Sequence, residues 1–352
     1  MTPFAVAGLQ LQLSGRHSNL PHVVDRIEML LYLYPWVQMV VVSELATFGG
    51  WTGNATPLPN DAEARYCTLA AKHNVWLLPG SFFEKADGVV YNTAPVIDPG
   101  GTVVARYRKM FPFLPYETGV EPGSEFCVFD VPDVGRFGVS ICYDMWFPET
   151  SRTLAAMGAE IILHPTLTAS IDRDVELAIA RATAATNQCF VIDINGVGDG
   201  GIGRSIFVAP SGDIMYEAGS SEEMIPIELD LERVRRSREV GLRGLGQPLK
   251  SFRDRKVDFS IYRRNESNHR YLETLGPLVK QARGSRAGLA SDPGAADAPP
   301  VTPAPLTSMM PPPPTAPVAP VAPVAPVAPV APVAPVAPPA VLAPADLSGG
   351  SV

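Results

Sequence analysis

The chain has 352 residues, with 28 Lys and Arg against 36 Asp and Glu for a formal charge of −8. An acidic chain with no basic stripe is poorly matched to nucleic acid, and nothing in it is apolar for the roughly 20 residues that span a bilayer. Its four cysteines, Cys67, Cys127, Cys142 and Cys189, are scattered with no C-x-x-C spacing, which argues against zinc or a dithiol and fits free thiols in a reducing cytoplasm.

The start, Met1-Thr-Pro-Phe-Ala, lacks the basic opening and long apolar core of a secretion signal, so a soluble intracellular protein is expected. Phe4 to Leu13 reads as an apolar strand. Asn19 followed by Pro21 marks a helix start, with Pro where its missing N–H costs little, and that helix runs towards Leu33 before a strand from Val37 to Ser43. Asn60 or Asp61 caps a second helix carrying Ala64, Leu69 and Ala70, and Val75 to Pro79 is a buried strand. Val90 to Ile97 and Thr102 to Tyr107, joined by Asp98-Pro-Gly-Gly101, form a hairpin. A strand from Phe137 to Ile141 precedes a helix Glu149 to Met157, a strand Glu160 to His164, a helix Val175 to Asn187 and a strand Cys189 to Ile194. A second hairpin pairs Ser205 to Ala209 with Asp213 to Glu217. Strands and helices alternating in two comparable halves, with hairpins between, predict an α/β fold with mixed sheets covered by helices.

Leu231 to Tyr262 mixes many arginines with acids and reads as a charged helix followed by an arm. Beyond about Gly284 the composition shifts to proline, with Ala-Pro-Val triplets from Ala316 to Val336. Proline supplies no N–H for a helix or a ladder, so this tract is expected to be disordered and rich in polyproline II, with its valines on one stripe. An inert solvated extension is the simplest reading; a spacer or a ligand for a proline-binding partner stays open.

Chemistry concentrates at three strand ends. Val40-Val-Val-Ser-Glu44 ends on a carboxylate before Phe48-Gly-Gly-Trp51, Tyr107-Arg-Lys109 follows the hairpin, and Phe137 to Ile141 runs into Cys142. Singly these read as a solvated acid, one member of a basic cluster and a buried core cysteine. Together, Glu44, Lys109 and Cys142 resemble the catalytic triad of the nitrilase superfamily of carbon–nitrogen hydrolases. The most specific part is Cys142-Tyr-Asp-Met-Trp-Phe-Pro-Glu149, and the resemblance takes in Tyr116 to Gly123, Asn195-Gly196, Gly203-Arg-Ser205 and Pro210-Ser-Gly212. It covers roughly Phe4 to Arg264, so residues 1–264 are expected to form the hydrolase domain, 265–283 an extension and 284–352 the tail. It implies an α-β-β-α sandwich, usually paired into an eight-layer homodimer to which the arm contributes, so a homodimer or higher homo-oligomer is expected.

A thiol of pKa about 8.5 is mostly protonated at neutral pH and needs a base beside it, the role expected of Glu44. Lys109 and the Tyr143 N–H are the candidate donors to the developing oxyanion. The resemblance gives Glu117 the task of positioning Lys109 or substrate, with Glu121 as the fallback. Phe48, Phe113, Tyr116, Tyr143, Trp146 and Thr166 are expected around the substrate, and Asp172, Arg173 and Asp174 on a following loop are candidates for reading a charged group. His164 as a partner of Cys142, Gly198 to Gly203 as a dinucleotide loop, and Asp144 with Glu149 as metal ligands are weaker readings; no cofactor or metal is expected. Tyr143-Asp144 resembles the amidase and carbamoylase branches, and Asp144 to Glu149 is similar to N-carbamoylputrescine amidases, with Met145 where these usually have glutamine. The expectation is an enzyme that releases ammonia from a small linear amide or N-carbamoyl compound through a cysteine thioester. Nitrile hydrolysis, acyl transfer to an amine, and a non-enzymatic interaction through the proline-rich tail are the alternatives.

Overall fold

Along Met39–Val42, Met39 and Val41 join one apolar cluster and Val40 and Val42 another, and all four are buried. A strand apolar on both faces needs a layer on each side, and the computed structural model, which describes residues 3–263, 270–278 and 280, supplies both. The strands are β1 (Pro3–Gln10), β2 (Gln12–Leu13), β3 (Met39–Val42), β4 (Trp76–Leu78), β5 (Phe82–Ala86), β6 (Val89–Ile97), β7 (Val103–Arg108), β8 (Cys127–Val131), β9 (Gly135–Val139), β10 (Ile161–Pro165), β11 (Phe190–Ile194), β12 (Val197–Gly198), β13 (Ile206–Val208), β14 (Ile214–Glu217) and β15 (Glu223–Asp230). The helices are α1 (Leu20–Leu33), α2 (Asp61–His73), α3 (Pro148–Ala156), α4 (Asp172–Asn187), α5 (Glu232–Val240), α6 (Pro248–Asp254) and α7 (Arg270–Glu273).

One sheet has the order β15-β1-β3-β4-β6-β5, with β7 also paired to β6; the other runs β14-β13-β11-β10-β9-β8. Each has a parallel centre, β1-β3-β4 and β9-β10-β11, flanked by antiparallel strands. Their inner faces interdigitate through Phe4, Val6, Met39, Val41 and Leu78 from one sheet and Phe137, Val139, Leu163, Phe190 and Ile192 from the other. On the outside, Val23, Ile27 and Leu30 of α1 with Tyr66 and Leu69 of α2 cover the first sheet. Leu154 of α3 with Leu177, Ala180 and Ala184 of α4 covers the second. The result is the expected four-layer α-β-β-α sandwich. Among the described residues no helix is long and apolar enough to cross a membrane. The readings made on the proline-rich tail lie outside the described residues.

Local chemistry explains the boundaries. Asn60 caps α2 by accepting from Glu63 N at 2.8 Å, the ordinary N-cap bond. Asn19 precedes α1 without capping it; its side chain instead holds Ser14 and the Ala46 carbonyl. Helix α4 begins at Asp172, three residues before the expected Val175, because Asp172 and Asp174 suit a first turn. Strands β5, β8, β12 and β15 escaped the pattern reading. Pro226 lies within β15, a position tolerated because β15 is the edge strand of its sheet, paired to β1. The basic segment is tied to its own domain by Arg235, whose Nε lies 2.9 Å from Glu160, and by Arg238, whose Nε donates to Gln188 O at 3.1 Å.

Candidate functional site

Glu44, Lys109 and Cys142 follow β3, β7 and β9, so each is delivered by the carboxyl end of a strand. Glu44 N donates to Thr166 O at 3.2 Å, joining the end of β3 to the end of β10 in the other sheet. Gly80 closes in from the side: its φ is +81°, and a Cβ there would lie 2.0 Å from Ser43 O. Only glycine permits that approach to the residue before Glu44. Cys142 itself has φ 47° and Leu45, next to Glu44, has φ 52°. A non-glycine residue held left-handed costs about 1–3 kcal/mol and marks a turn whose conformation is enforced by its surroundings.

The polar side chains converge. Lys109 Nζ lies 2.9 Å from Glu44 Oε1 and 2.8 Å from Glu117 Oε2, with Lys109 and Glu44 only 1% and 2% exposed. Glu117 Oε2 also accepts from Phe113 N at 2.5 Å. Asn92, in the middle of β6, donates to Glu44 Oε1 at 2.8 Å and to Glu117 Oε1 at 3.4 Å, bridging the two acids that flank the ammonium. Cys142 Sγ has Leu167 O as acceptor at 4.0 Å and stands within the electrostatic field of Glu44 and Lys109.

Burial raises Glu44 above the usual carboxylate range, with the Lys109 charge pulling it back. Burial alone would lower Lys109, but the carboxylates around it prevail and raise it, so it stays charged. The Cys142 thiol is pushed up, first by burial and then by the Glu44 carboxylate, so the resting sulfur is protonated. These features describe a thiol that reacts only if a neighbour removes its proton.

Cys142 opens into a cavity of about 300 Å³, walled by Phe113, Tyr116, Tyr143 and Trp146. Phe48 and Thr166, expected there, are not among the lining residues. Phe48 packs against Phe82 on the outer side of its sheet, 6.0 Å between ring centroids, and Thr166 is fully buried against the Cys142 thiol. Asp172 lines the cavity, while Asp174 pairs with Arg204. Arg173 is 1% exposed and bonded to both Asp193 oxygens at 3.0 Å, so it reads no substrate group. Glu121 is exposed and belongs to the loop backbone through its N–H to Val90 O. His164 receives or gives a hydrogen bond at Ser140 Oγ, 2.8 Å, and burial pushes it down to about 3, which keeps it neutral. The glycine-rich Gly198 to Gly203 packs on Leu13 and Asn195, where Cβ atoms at Gly200 and Gly201 would clash. Asp144 and Glu149 belong to no metal-binding group among the described residues. A wider surface depression of about 580 Å³ beside Gln12, His17 and Asp199 contains none of the expected catalytic or substrate-binding residues.

Sequence reasoning missed Asn92 and the part played by Asp144. The signal for Asn92 was an amide inside an otherwise apolar strand. Asp144 Oδ2 accepts from Tyr107 OH at 2.7 Å and Ile141 N at 2.8 Å, and Oδ1 from Phe111 N at 2.9 Å. One buried carboxylate thereby ties the residues on either side of Lys109 to the turn that presents Cys142. Burial raises Asp144 to about 6 despite these donors. Asp144→Asn turns an amide N–H towards a donor, so we expect a loss of about 1–3 kcal/mol in denaturant unfolding. Misplacement of Lys109 relative to Cys142 is expected to lower kcat on the order of 10²-fold; unchanged kcat in a destabilised variant would leave Asp144 with a structural role alone.

Comparison with known proteins places this geometry in a family. The model of the carbon-nitrogen hydrolase family matches residues 5–239. A deaminated glutathione amidase of Dictyostelium discoideum is 31% identical over 196 residues, covering 50% of this chain and 67% of that one. An N-carbamoylputrescine amidase of Solanum tuberosum is 30% identical over 213 residues, covering 52% and 66%. In structure, a carbon-nitrogen hydrolase from Helicobacter pylori G27 is similar at a TM-score of 0.64 and 27% identity, covering 75% of this chain and 99% of that one. With two thirds of its length matched and its sandwich shared, the chain belongs to the carbon-nitrogen hydrolase family of the nitrilase superfamily and is an enzyme of that type.

Proposed function

We propose that the protein is an amidase that hydrolyses a small linear amide or N-carbamoyl compound with release of ammonia, through a covalent bond to Cys142. The observation that carries this is the buried Glu44–Lys109–Glu117 cluster beside a protonated thiol at the base of a small aromatic cavity. Glu44 takes the thiol proton as sulfur attacks the carbonyl carbon. The carbonyl oxygen becomes an oxyanion facing the Lys109 ammonium and the Tyr143 N–H. Glu44 then passes its proton to the departing nitrogen, so ammonia leaves and a thioester, or an S-carbamoyl group from a ureido substrate, remains on Cys142. Water deprotonated by Glu44 attacks this acyl group, the acid is released and the thiol regains its proton. Glu117 and Asn92 hold Lys109 and Glu44 in place through both steps.

Intact-mass measurement tests the reading. Quenched mixtures with a panel of amides and ureido acids are expected to show the acyl mass on the wild-type chain, stoichiometric with ammonia, and none on Cys142→Ala. An adduct on another residue, or ammonia release without Cys142, overturns it, and the matching nitriles in the panel report the nitrile alternative. Four free cysteines support a reducing compartment. The exposed Phe252, Phe259 and Tyr262 along the arm support a homodimer in which the arm is covered.

A further inference from the structure

The cavity beside Cys142 is electrically one-sided. Among the described residues that line it, the charged side chains are Asp172 and Glu176, both acids. Lys109, the buried cation near the sulfur, is absent from the lining and is already held by Glu44 and Glu117. Glu176 lies in the early turns of α4, and its side chain is 11% exposed. Its Oε1 accepts from Thr168 Oγ1 at 3.0 Å and its Oε2 from Arg173 Nη1 at 3.2 Å. Each carboxylate oxygen has two acceptor sites, so both retain capacity.

Arg173 does not cancel this charge. Its guanidinium is bonded to both oxygens of Asp193 at 3.0 Å and to Arg204 O at 2.8 Å. One cation therefore sits between two buried carboxylates, leaving the cluster one negative charge in excess on the side where Glu176 meets the cavity. Glu176 and Cys142 line the same cavity, and the carboxylate adds to the forces that push the Cys142 thiol up. The rest of the wall is aromatic, through Phe113, Tyr116, Tyr143 and Trp146, and aromatic faces attract cations. Lys280, which is outside the cavity lining, sets its ammonium 5.1 Å from the centroid of the Tyr116 ring.

An anionic tail in this cavity meets like charge in a dry setting. A neutral tail removes water from Glu176 and returns nothing. A protonated amine supplies the missing donor and charge. We infer that Glu176 is the specificity-determining residue of the site, and that the substrate is a short amide or ureido compound carrying an ammonium group at the end remote from the scissile bond. About 300 Å³ of cavity is at the small end of ligand sites, which suits a short linear molecule. This rests on the amidase reading above and adds the charge of the substrate to it.

The test is a kinetic comparison of three butanamides bearing a terminal ammonium, methyl or carboxylate group. Wild-type kcat/KM is expected to favour ammonium over methyl by about ten- to a hundredfold, the range of one charge-assisted hydrogen bond, and to be lowest for carboxylate. In Glu176→Gln the ammonium-to-methyl ratio is expected to fall at least about tenfold. Inhibition of the wild-type enzyme by butylammonium and butanoate gives a second readout that does not depend on how the variant folds; butylammonium is expected to bind at least about tenfold tighter. Equal or reversed preferences in the wild type overturn the inference while hydrolysis of the amides keeps the amidase reading. An equal loss on all three substrates in Glu176→Gln reduces the residue to a structural one and overturns it too. If none of the amides is hydrolysed, the amidase reading falls and this inference with it.

Discussion

Cys142→Ala is expected to lower amide turnover by about 10⁴-fold or more while leaving the fold intact. Nucleophile, base and ammonium act as one unit, so losing the nucleophile removes nearly all of their joint effect. Stability is expected to change by only about 1 kcal/mol, as for most substitutions outside the named severe mechanisms. The Cβ that carries the strain at φ 47° remains, and the atom removed is one sulfur at the edge of a cavity. Single-turnover ammonia release together with denaturant unfolding separates the two effects. Turnover within tenfold of wild type would show that sulfur is not the attacking atom. Cys142→Ser is expected to be nearly as inactive, because the hydroxyl is a poorer nucleophile and Glu44 is too weak a base to activate it.

Lys109→Met combines a catalytic loss with a structural one. Removing the ammonium withdraws a donor from the developing oxyanion, expected to reduce kcat by about 10²- to 10³-fold. It also leaves Glu44 and Glu117, both bound to the same nitrogen at 2.9 Å and 2.8 Å, as carboxylates without their cation. Breaking a buried pair from one side typically costs about 3–5 kcal/mol. The pH dependence distinguishes this from simple unfolding. Glu44 is already raised by burial and lowered by Lys109; without that charge it rises further and holds its proton at higher pH. The residual activity of Lys109→Met is therefore expected to climb with pH across a range where wild-type activity is level. A profile that only scales down would assign Lys109 to stability alone. Lys109→Arg is not expected to rescue, since a planar fork does not replace a point charge enclosed on two sides.

Much of this site was legible before any coordinates. Glu44, Lys109 and Cys142 each follow a strand-like run, and a polar residue at the end of a strand is held in position by a rigid element. The aromatic cavity residues Phe113, Tyr116, Tyr143 and Trp146 were readable because they crowd around the same turns. Phe48 was not, because a residue after a strand can turn to either face, and here Phe82 and the outer core draw it away from the cavity. Arg173 looked like a surface charge next to two acids; its true partner, Asp193, lies 20 residues further on in β11. Asn92 and Asp144 were missed because the partners that give them a role are distant in sequence: Glu44 and Glu117 for Asn92, Tyr107 and Phe111 for Asp144.

The sequence by itself determined the alternation of strands and helices, the N-cap that opens α2, and the apolar runs of central strands such as β3. These follow from propensity and period, which act over a few neighbouring residues. Only the tertiary structure decided that β3, β7 and β9 end around one point, that Glu117 and Asn92 complete the enclosure of Lys109, and that Glu176 keeps an excess negative charge beside the sulfur. Those outcomes depend on how two sheets pack and where a helix starts. Electrostatic energy is set by distance and by exclusion of water, and neither quantity exists along the chain until it has folded.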